Sequence, residues 1–224
     1  MRAIASAVLV LLLAPAASLA DVCPTNFFSE GGNGFFDEHS STAPSDSWGG
    51  LSYNHVAGTL TGGITGAGEL GAFSQLTAQD RYVIVGPTSA TPIALQVRLH
   101  FTGSVGADQV NLPPNGPQCV GSSLILRLTH GALQDEELVG PSGCVTTPFD
   151  RTLELSLEKV PGEEFLVSSY LNLSAGQSIQ ATASGVLTFH GLPAGYTIQS
   201  CQGYAGTPVA TKTRSWGAVK QLYR

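Results

Sequence analysis

The chain has few charged residues, and most of them are acidic. Of its 224 residues, 10 are lysine or arginine and 16 are aspartate or glutamate, so charged residues make up 12% of the total, about half the usual share. Binding to a phosphate backbone depends on clustered lysine and arginine. We therefore predict no nucleic-acid partner, and we expect serine, threonine, glycine and glutamine to solvate the surface.

Motifs of several common catalytic and metal centres are also missing. The sequence contains no Gly-x-Ser-x-Gly, no His-x-x-x-His and no Cys-x-x-Cys. These absences argue against a nucleophile elbow, a helical zinc site and a cysteine-pair metal or redox site. Two of the five histidines, His100 and His190, fall on the polar faces of predicted strands, where we expect solvated side chains.

The first twenty residues have the features of a secretory signal peptide. Arg2 supplies a positive charge, an apolar run covers residues 4–15, and Ser18-Leu19-Ala20 ends the segment with a small-x-small pattern. The run is too short to span a membrane. We predict a signal peptide over residues 1–20, a mature chain from Asp21 without a transmembrane segment, and a location that is secreted or in the cell envelope.

The chain contains four cysteines, and an even number in an exported protein favours disulfide bonds. Three pairings are possible. We prefer a local bond between Cys119 and Cys144 and a second bond, Cys23 with Cys201, that joins the two ends of the domain.

Alternating apolar and polar residues predict many short β-strands. The clearest example is residues 93–101, in which five apolar side chains at every second position alternate with Ala94, Gln96, Arg98 and His100. Similar patterns cover residues 82–85, 124–128, 153–157, 165–173 and 179–189, with glycine and proline turns between them. No long helical period precedes the last ten residues. We predict a single all-β domain over residues 21–206, an antiparallel β-sandwich or jelly roll.

Two further segments stand out by composition. Residues 57–73 are rich in glycine, which favours one or two thin strands packed closely against a neighbour, with a flexible loop at a binding rim as the alternative. Residues 207–224 form a basic C-terminal tail that holds Lys212, Arg214, Lys220 and Arg224 and no acid. This tail is either frayed or a docking signal that contacts sorting machinery.

Residues 185–204 resemble the end of a group of uncharacterised secreted bacterial β-sandwich proteins. In both, an apolar strand leads into a Leu-Pro-Ala-Gly turn, here Leu192 to Gly195, and a second strand ends in Ser-x-x-Gly, here Ser200 to Gly203. Some members add a Pro-Glu-Pro sorting tail, which this chain lacks. The resemblance implies the sandwich fold and export, and it implies no activity.

Two groups of residues are candidates for a binding site. Trp48, Tyr53 and Tyr204 are predicted exposed aromatic side chains of the kind that stacks on pyranose rings, although Trp48 is also suited to fill one end of the sandwich. The acids Asp135, Glu136 and Glu137 are predicted to lie in a loop, where clustered carboxylates suit calcium. Calcium is the one cofactor that the sequence leaves open.

The sequence favours a non-catalytic exported β-sandwich module that acts in adhesion, surface assembly or glycan contact, with a glycan or a surface protein as its partner. One alternative is a carbohydrate-active enzyme that uses acids of residues 135–137 or 163–164, since glycoside hydrolysis needs two carboxylates roughly 5–10 Å apart. Another alternative is a subunit of an extracellular polymer.

Overall fold

The computed structural model of the chain describes residues 23–32, 35–66, 71–112, 116–176 and 179–204. The predicted signal peptide, residues 1–20, and the predicted basic tail, residues 207–224, lie outside the described residues. None of the described residues forms a helix long and apolar enough to cross a membrane.

Fourteen β-strands make up the described part of the chain. In chain order they are β1 (Asn26–Gly32), β2 (Phe35–Ser41), β3 (Ser45–Trp48), β4 (Leu51–Asn54), β5 (Thr59–Thr65), β6 (Ala72–Val85), β7 (Ile93–Val105), β8 (Ala107–Leu112), β9 (Gly116–His130), β10 (Leu133–Val139), β11 (Thr147–Lys159), β12 (Glu164–Ala175), β13 (Gln180–His190) and β14 (Thr197–Ser200).

The strands form two antiparallel sheets that pack face to face. The larger sheet has eight strands in the order β10-β9-β12-β6-β1-β2, with β14 paired to β6 and β8 paired to β9. The smaller sheet has six strands in the order β11-β7-β13-β5-β4-β3. The predicted all-β sandwich is therefore confirmed.

The core lies between the sheets and follows the alternation seen in the sequence. On β7, the five apolar side chains from Ile93 to Phe101 are buried, and the four residues between them are partly or largely exposed. Strands β11, β12 and β13 alternate in the same way. His100 and His190 are exposed, as predicted.

Strand β6 is longer than its sequence pattern suggested. We predicted a short strand over residues 82–85, but β6 spans Ala72–Val85, because it pairs with β1 along one edge and with β12 along the other. Its first half carries few large apolar residues, so the alternation there is weak in the sequence.

Both disulfide bonds have the preferred pairing. Cys23 is bonded to Cys201, with their Cα atoms 5.5 Å apart, and Cys119 is bonded to Cys144, with a Cα distance of 5.1 Å. The first bond ties the segment before β1 to the segment after β14, and the second ties β9 to the connection between β10 and β11.

The glycine-rich segment forms a thin strand over Thr59–Thr65. A Cβ atom added at Gly62 would lie within 2.8 Å of methyl groups of Leu51, Leu171 and Leu173. Glycine therefore allows this part of β5 to approach the larger sheet closely, as the thin-strand interpretation predicts. Residues 67–70 lie outside the described residues.

Candidate functional site

Two of the three predicted ligand-binding aromatics are buried in the core. Tyr53 is 3% exposed and Tyr204 is 8% exposed, because Tyr53 faces inward on β4 and Tyr204 packs against buried rings that include Tyr82. Their hydroxyl groups donate to the backbone oxygens of Ala43 and Leu187, each at 3.0 Å. The expectation that these two rings are exposed is wrong, and burial raises the pKa of Tyr204 to about 12.

Trp48 is partly buried and packs against the core. Its ring lies 6.3 Å from that of Phe28 and 6.1 Å from that of His39, centroid to centroid. This placement agrees with the packing role that the sequence left open for Trp48.

The predicted calcium ligands lie in strand β10 and not in a loop. Alternation places Asp135 and Glu137 on the opposite face from Glu136. Asp135 Oδ2 accepts a hydrogen bond from the backbone N–H of Glu154 at 2.7 Å. The sequence pattern was misleading because pairing with β9 turns an acidic run into a strand.

Arginine and lysine residues engage the remaining candidate acids. Glu136 forms an ion pair with Arg127 and Glu137 with Arg151, whereas Glu163 pairs with Lys159 at 3.0 Å and Glu164 with Arg81 at 3.6 Å. Among the described residues, no three histidine, cysteine or acidic side chains are grouped to hold a metal ion. The candidate acids are therefore engaged by partners within the protein.

The described residues line a cleft of about 380 Å³, within the usual range of roughly 300–1,000 Å³ for small-molecule sites. It lies where β1, β2 and β6 of the larger sheet face β5 and the β3–β4 turn of the smaller sheet. Six of its thirteen lining residues are glycine: Gly31, Gly32, Gly49, Gly50, Gly63 and Gly71. A Cβ atom added at any of these glycines except Gly63 would lie within 2.8 Å of another atom, so they allow neighbouring parts of the chain to approach closely around the cleft.

The β3–β4 turn shows why glycine is required at the wall of the cleft. Trp48 pairs with Leu51, which leaves Gly49 and Gly50 as a two-residue hairpin turn. Gly49 has a φ of 60°, a left-handed conformation that suits glycine in such turns. The turn directs the backbone N–H of Gly50 into the cleft, toward the larger sheet.

Glu30 is the one ionisable side chain among the described residues that line the cleft. Its Oε1 accepts hydrogen bonds from the backbone N–H of Gly50 at 3.0 Å and from the hydroxyl of Ser74 at 3.1 Å. The carboxylate thus links the two sheets and is held in place from both sides. Both of these hydrogen bonds go to Oε1, and the described part of the chain donates none to Oε2.

Aromatic rings stand at the mouth of the cleft. Phe35 is 62% exposed, and Phe73 is partly buried; both line the cleft. A carboxylate acceptor, the Ser74 hydroxyl that donates to it and the exposed Phe35 ring together suit a ligand that is polar at its edge and apolar on its face.

Sequence reasoning missed Glu30 and Phe35. The available signal was the series of glycines at 31–32, 49–50 and 62–63, together with an acid on the inward-facing side of β1. The alternative interpretation of residues 57–73, a flexible loop at a binding rim, stays a prediction; Gly63 and Gly71 line the cleft, and Gly63 belongs to a strand.

A second cavity is enclosed and much smaller, at about 10 Å³, close to the least space that holds one water molecule. Buried polar side chains, His55 and Asp80, line it together with Tyr53 and Tyr82. This volume is too small for an organic ligand.

No protein-family model matches the chain, and no curated protein matches it. Among solved structures, the chain is similar to that of TmCBM61 in complex with beta-1,4-galactotriose, with a TM-score of 0.27 and 7% sequence identity over 60% of this chain and 70% of that one. A likeness at this level says nothing about the function of this chain.

Proposed function

We propose that the chain is an exported, non-catalytic β-sandwich module that contacts a glycan, and that the cleft binds one neutral sugar unit. The observation that carries the proposal is the Glu30 carboxylate, which Gly50 and Ser74 hold at Oε1 inside an open cleft with Phe35 at its mouth. The signal-like N-terminus and the two disulfide bonds support an oxidising compartment outside the cytoplasm.

The chemistry of the cleft matches that of a pyranose. A sugar presents hydroxyl donors at its edge, and a fixed carboxylate oxygen accepts charge-assisted hydrogen bonds from them. Its carbon-bound hydrogens form an apolar face that packs against an aromatic ring. Asp37 lies directly opposite Glu30 in the β1–β2 register, so the cleft is in an acidic environment, which disfavours anionic sugars.

The arrangement of acids supports binding over hydrolysis. A glycosidase of the common kind needs a second carboxylate across the bound sugar. Glu30 is the sole acid among the described lining residues, and Asp37 lies beside it on the neighbouring strand of the same sheet and not on the facing sheet. The acids of residues 135–137 and 163–164 have protein partners elsewhere on the sandwich.

The test is affinity electrophoresis of the secreted protein in gels that contain a neutral polysaccharide (β-glucan, galactan, mannan or xylan) or anionic polygalacturonate. We expect retardation by at least one neutral polymer and none by polygalacturonate. Glu30→Gln keeps an oxygen acceptor for Gly50 and Ser74 but replaces the second carboxylate oxygen with an amide donor, and it should weaken binding about tenfold.

Glu158→Gln is the matched control, because Glu158 is an exposed acid on β11 of the other sheet; its binding should equal that of the unmodified protein. Migration that no polysaccharide changes would exclude the proposal. So would equal retardation of Glu30→Gln and the unmodified protein.

A further inference from the structure

The outward face of the larger sheet carries a short row of aromatic and amide side chains beside the cleft. Phe73 and Gln75 alternate with buried residues on β6, and Tyr170 and Asn172 alternate with buried residues on β12, so all four point away from the core. We call these four residues the outer track.

The register of the two strands orders the outer track. Gln75 lies directly opposite Asn172. Phe73 is two residues from Gln75 on β6, and Tyr170 is two residues from Asn172 on β12, in the other direction along the sheet. An amide pair therefore stands between two aromatic rings, whose Cα atoms are roughly 14 Å apart from strand rise and strand spacing.

Tyr170 is held in place on both sides. Asn172 Nδ2 donates a hydrogen bond to its hydroxyl at 3.2 Å, and the guanidinium carbon of Arg127 lies 4.9 Å from the ring centroid. Arg127 thus covers one face of the ring, and the Tyr170 side chain as a whole is partly exposed. Arg127 itself forms an ion pair with Glu136, so this end of the track presents no net charge.

Phe73 connects the outer track to the cleft. It is a lining residue of the cleft and also the first residue of the track, and its ring lies 6.1 Å from that of Phe36 on the edge strand. A chain molecule that leaves the cleft at Phe73 meets the amide pair next and then Tyr170.

We propose that the outer track is an extension subsite, and that the ligand is a neutral polysaccharide chain of which the cleft holds one unit while later units lie along β6 and β12. This inference rests on the proposed function of the cleft. A neutral chain fits because amides and aromatic rings recognise hydroxyls and apolar sugar faces without charge, and because the ion pair at the end of the track is internally balanced.

Isothermal titration of the full secreted protein with the disaccharide through the hexasaccharide of β-1,4-glucan, β-1,4-galactan and β-1,4-mannan tests the inference. Affinity should rise with chain length until the track is filled. Tyr170→Ala should weaken binding of the hexasaccharide about tenfold and leave disaccharide binding unchanged, and Gln75→Ala should act in the same direction. Tyr170→Phe, which keeps the ring, should retain most of the affinity.

His100→Ala is the control, since His100 is an exposed ring on the outer face of the smaller sheet; it should leave binding of every length unchanged. Tyr170→Ala loses the contact with Arg127 and should unfold at a somewhat lower temperature, but both Tyr170 variants should remain folded at the temperature of the titration, so a loss of affinity does not reflect misfolding.

The outcomes separate the two proposals. The extension subsite is refuted if binding depends on Glu30 but not on chain length, or if the Tyr170→Ala protein has normal hexasaccharide affinity. Either result leaves the proposal for the cleft intact. Absence of binding at every length overturns both. A Tyr170→Ala protein that changes only its oligomeric state would identify the face as a contact between copies of this chain, and this too would overturn the inference.

Discussion

The backbone N–H of Gln202 donates a hydrogen bond to Oδ1 of Asp80 at 3.2 Å and so joins two residues 122 positions apart. Asp80 is 1% exposed. Its Oδ2 and the Oε1 of Gln202 are buried acceptors without a partner among the described residues. Burial raises the pKa of the Asp80 carboxyl to about 6, and protonation removes the charge that burial disfavours.

His55 lines the same cavity of about 10 Å³ as Asp80. Its pKa is shifted in the opposite direction. It is 7% exposed, its Nε2 lies 2.9 Å from Asn26 Oδ1, and burial lowers its pKa to about 4. The folded protein therefore favours neutral His55 and protonated Asp80, and each preference shows itself as a dependence of stability on pH.

The Asp80→Asn variant should reveal the contribution of His55. Between about pH 4 and pH 6 the folded protein keeps a proton on Asp80 that the unfolded chain, with a carboxyl pKa near 3.8, has lost. Because only the folded state keeps this proton, the Asp80 carboxyl lowers the free energy of unfolding by roughly 3 kcal/mol as pH rises through that window. In the Asp80→Asn variant only the His55 contribution remains. Urea unfolding should then show a free energy of unfolding that rises from about pH 4 to pH 6.5. Glu158→Gln is the control, and an unchanged pH profile for Asp80→Asn would refute the assignment.

The His55→Gln variant should show the opposite trend. Unfolded histidine takes up a proton below about pH 6.5, whereas folded His55 stays neutral down to about pH 4, so His55 increases stability as pH rises between these values. Removing the imidazole leaves the Asp80 term, and the free energy of unfolding should then fall from pH 4 to pH 6. In the unmodified protein the two terms largely cancel, which urea titrations at matched pH values would show as a flatter profile.

Local patterns predicted most of the sandwich. The alternation from Ile93 to Phe101 was sufficient to identify β7, and the spacing of the cysteines favoured the pairing that is observed. The strand prediction succeeds because the side chains of a half-buried strand alternate between its two faces, whichever strand it pairs with.

The cleft could not be predicted in the same way, because it depends on register. Glu30, Gly50 and Ser74 meet only because β1 pairs with β6 in one alignment and the β3–β4 turn faces both. The burial of Tyr53 depends likewise on which face of β4 turns inward. A sequence shows that a residue is aromatic or acidic, but the sheet decides which side chains share a surface.

The bond between Cys23 and Cys201 should stabilise the fold more than the bond between Cys119 and Cys144. The two bonds span 178 and 25 residues, and loop-closure entropy of the unfolded chain grows with that span, to about 5 kcal/mol and about 3.5 kcal/mol. Paired cysteine-to-serine variants of each bond, compared by urea unfolding, measure both costs. The reverse order would contradict an entropic account of these bonds.

Adjacent glycines on β5 should respond in opposite directions to an added methyl group. At Gly62, a Cβ atom would lie 2.7 Å from a methyl group of Leu173, and two other leucines crowd the same space. Gly62→Ala should therefore lower the free energy of unfolding by about 1–3 kcal/mol through overpacking. Thermal and urea unfolding measure the change.

Gly63→Ala is the matched control within the same strand. The nearest side-chain atom, Thr182 Cγ2, would lie 3.9 Å from the added Cβ, which is ordinary contact. Since alanine also restricts the unfolded chain, Gly63→Ala should leave stability unchanged or raise it by about 0.4–1 kcal/mol. Equal effects at the two positions would mean that β5 does not press Gly62 against the larger sheet, and the packing that separates the filled core from the open cleft would need a different explanation.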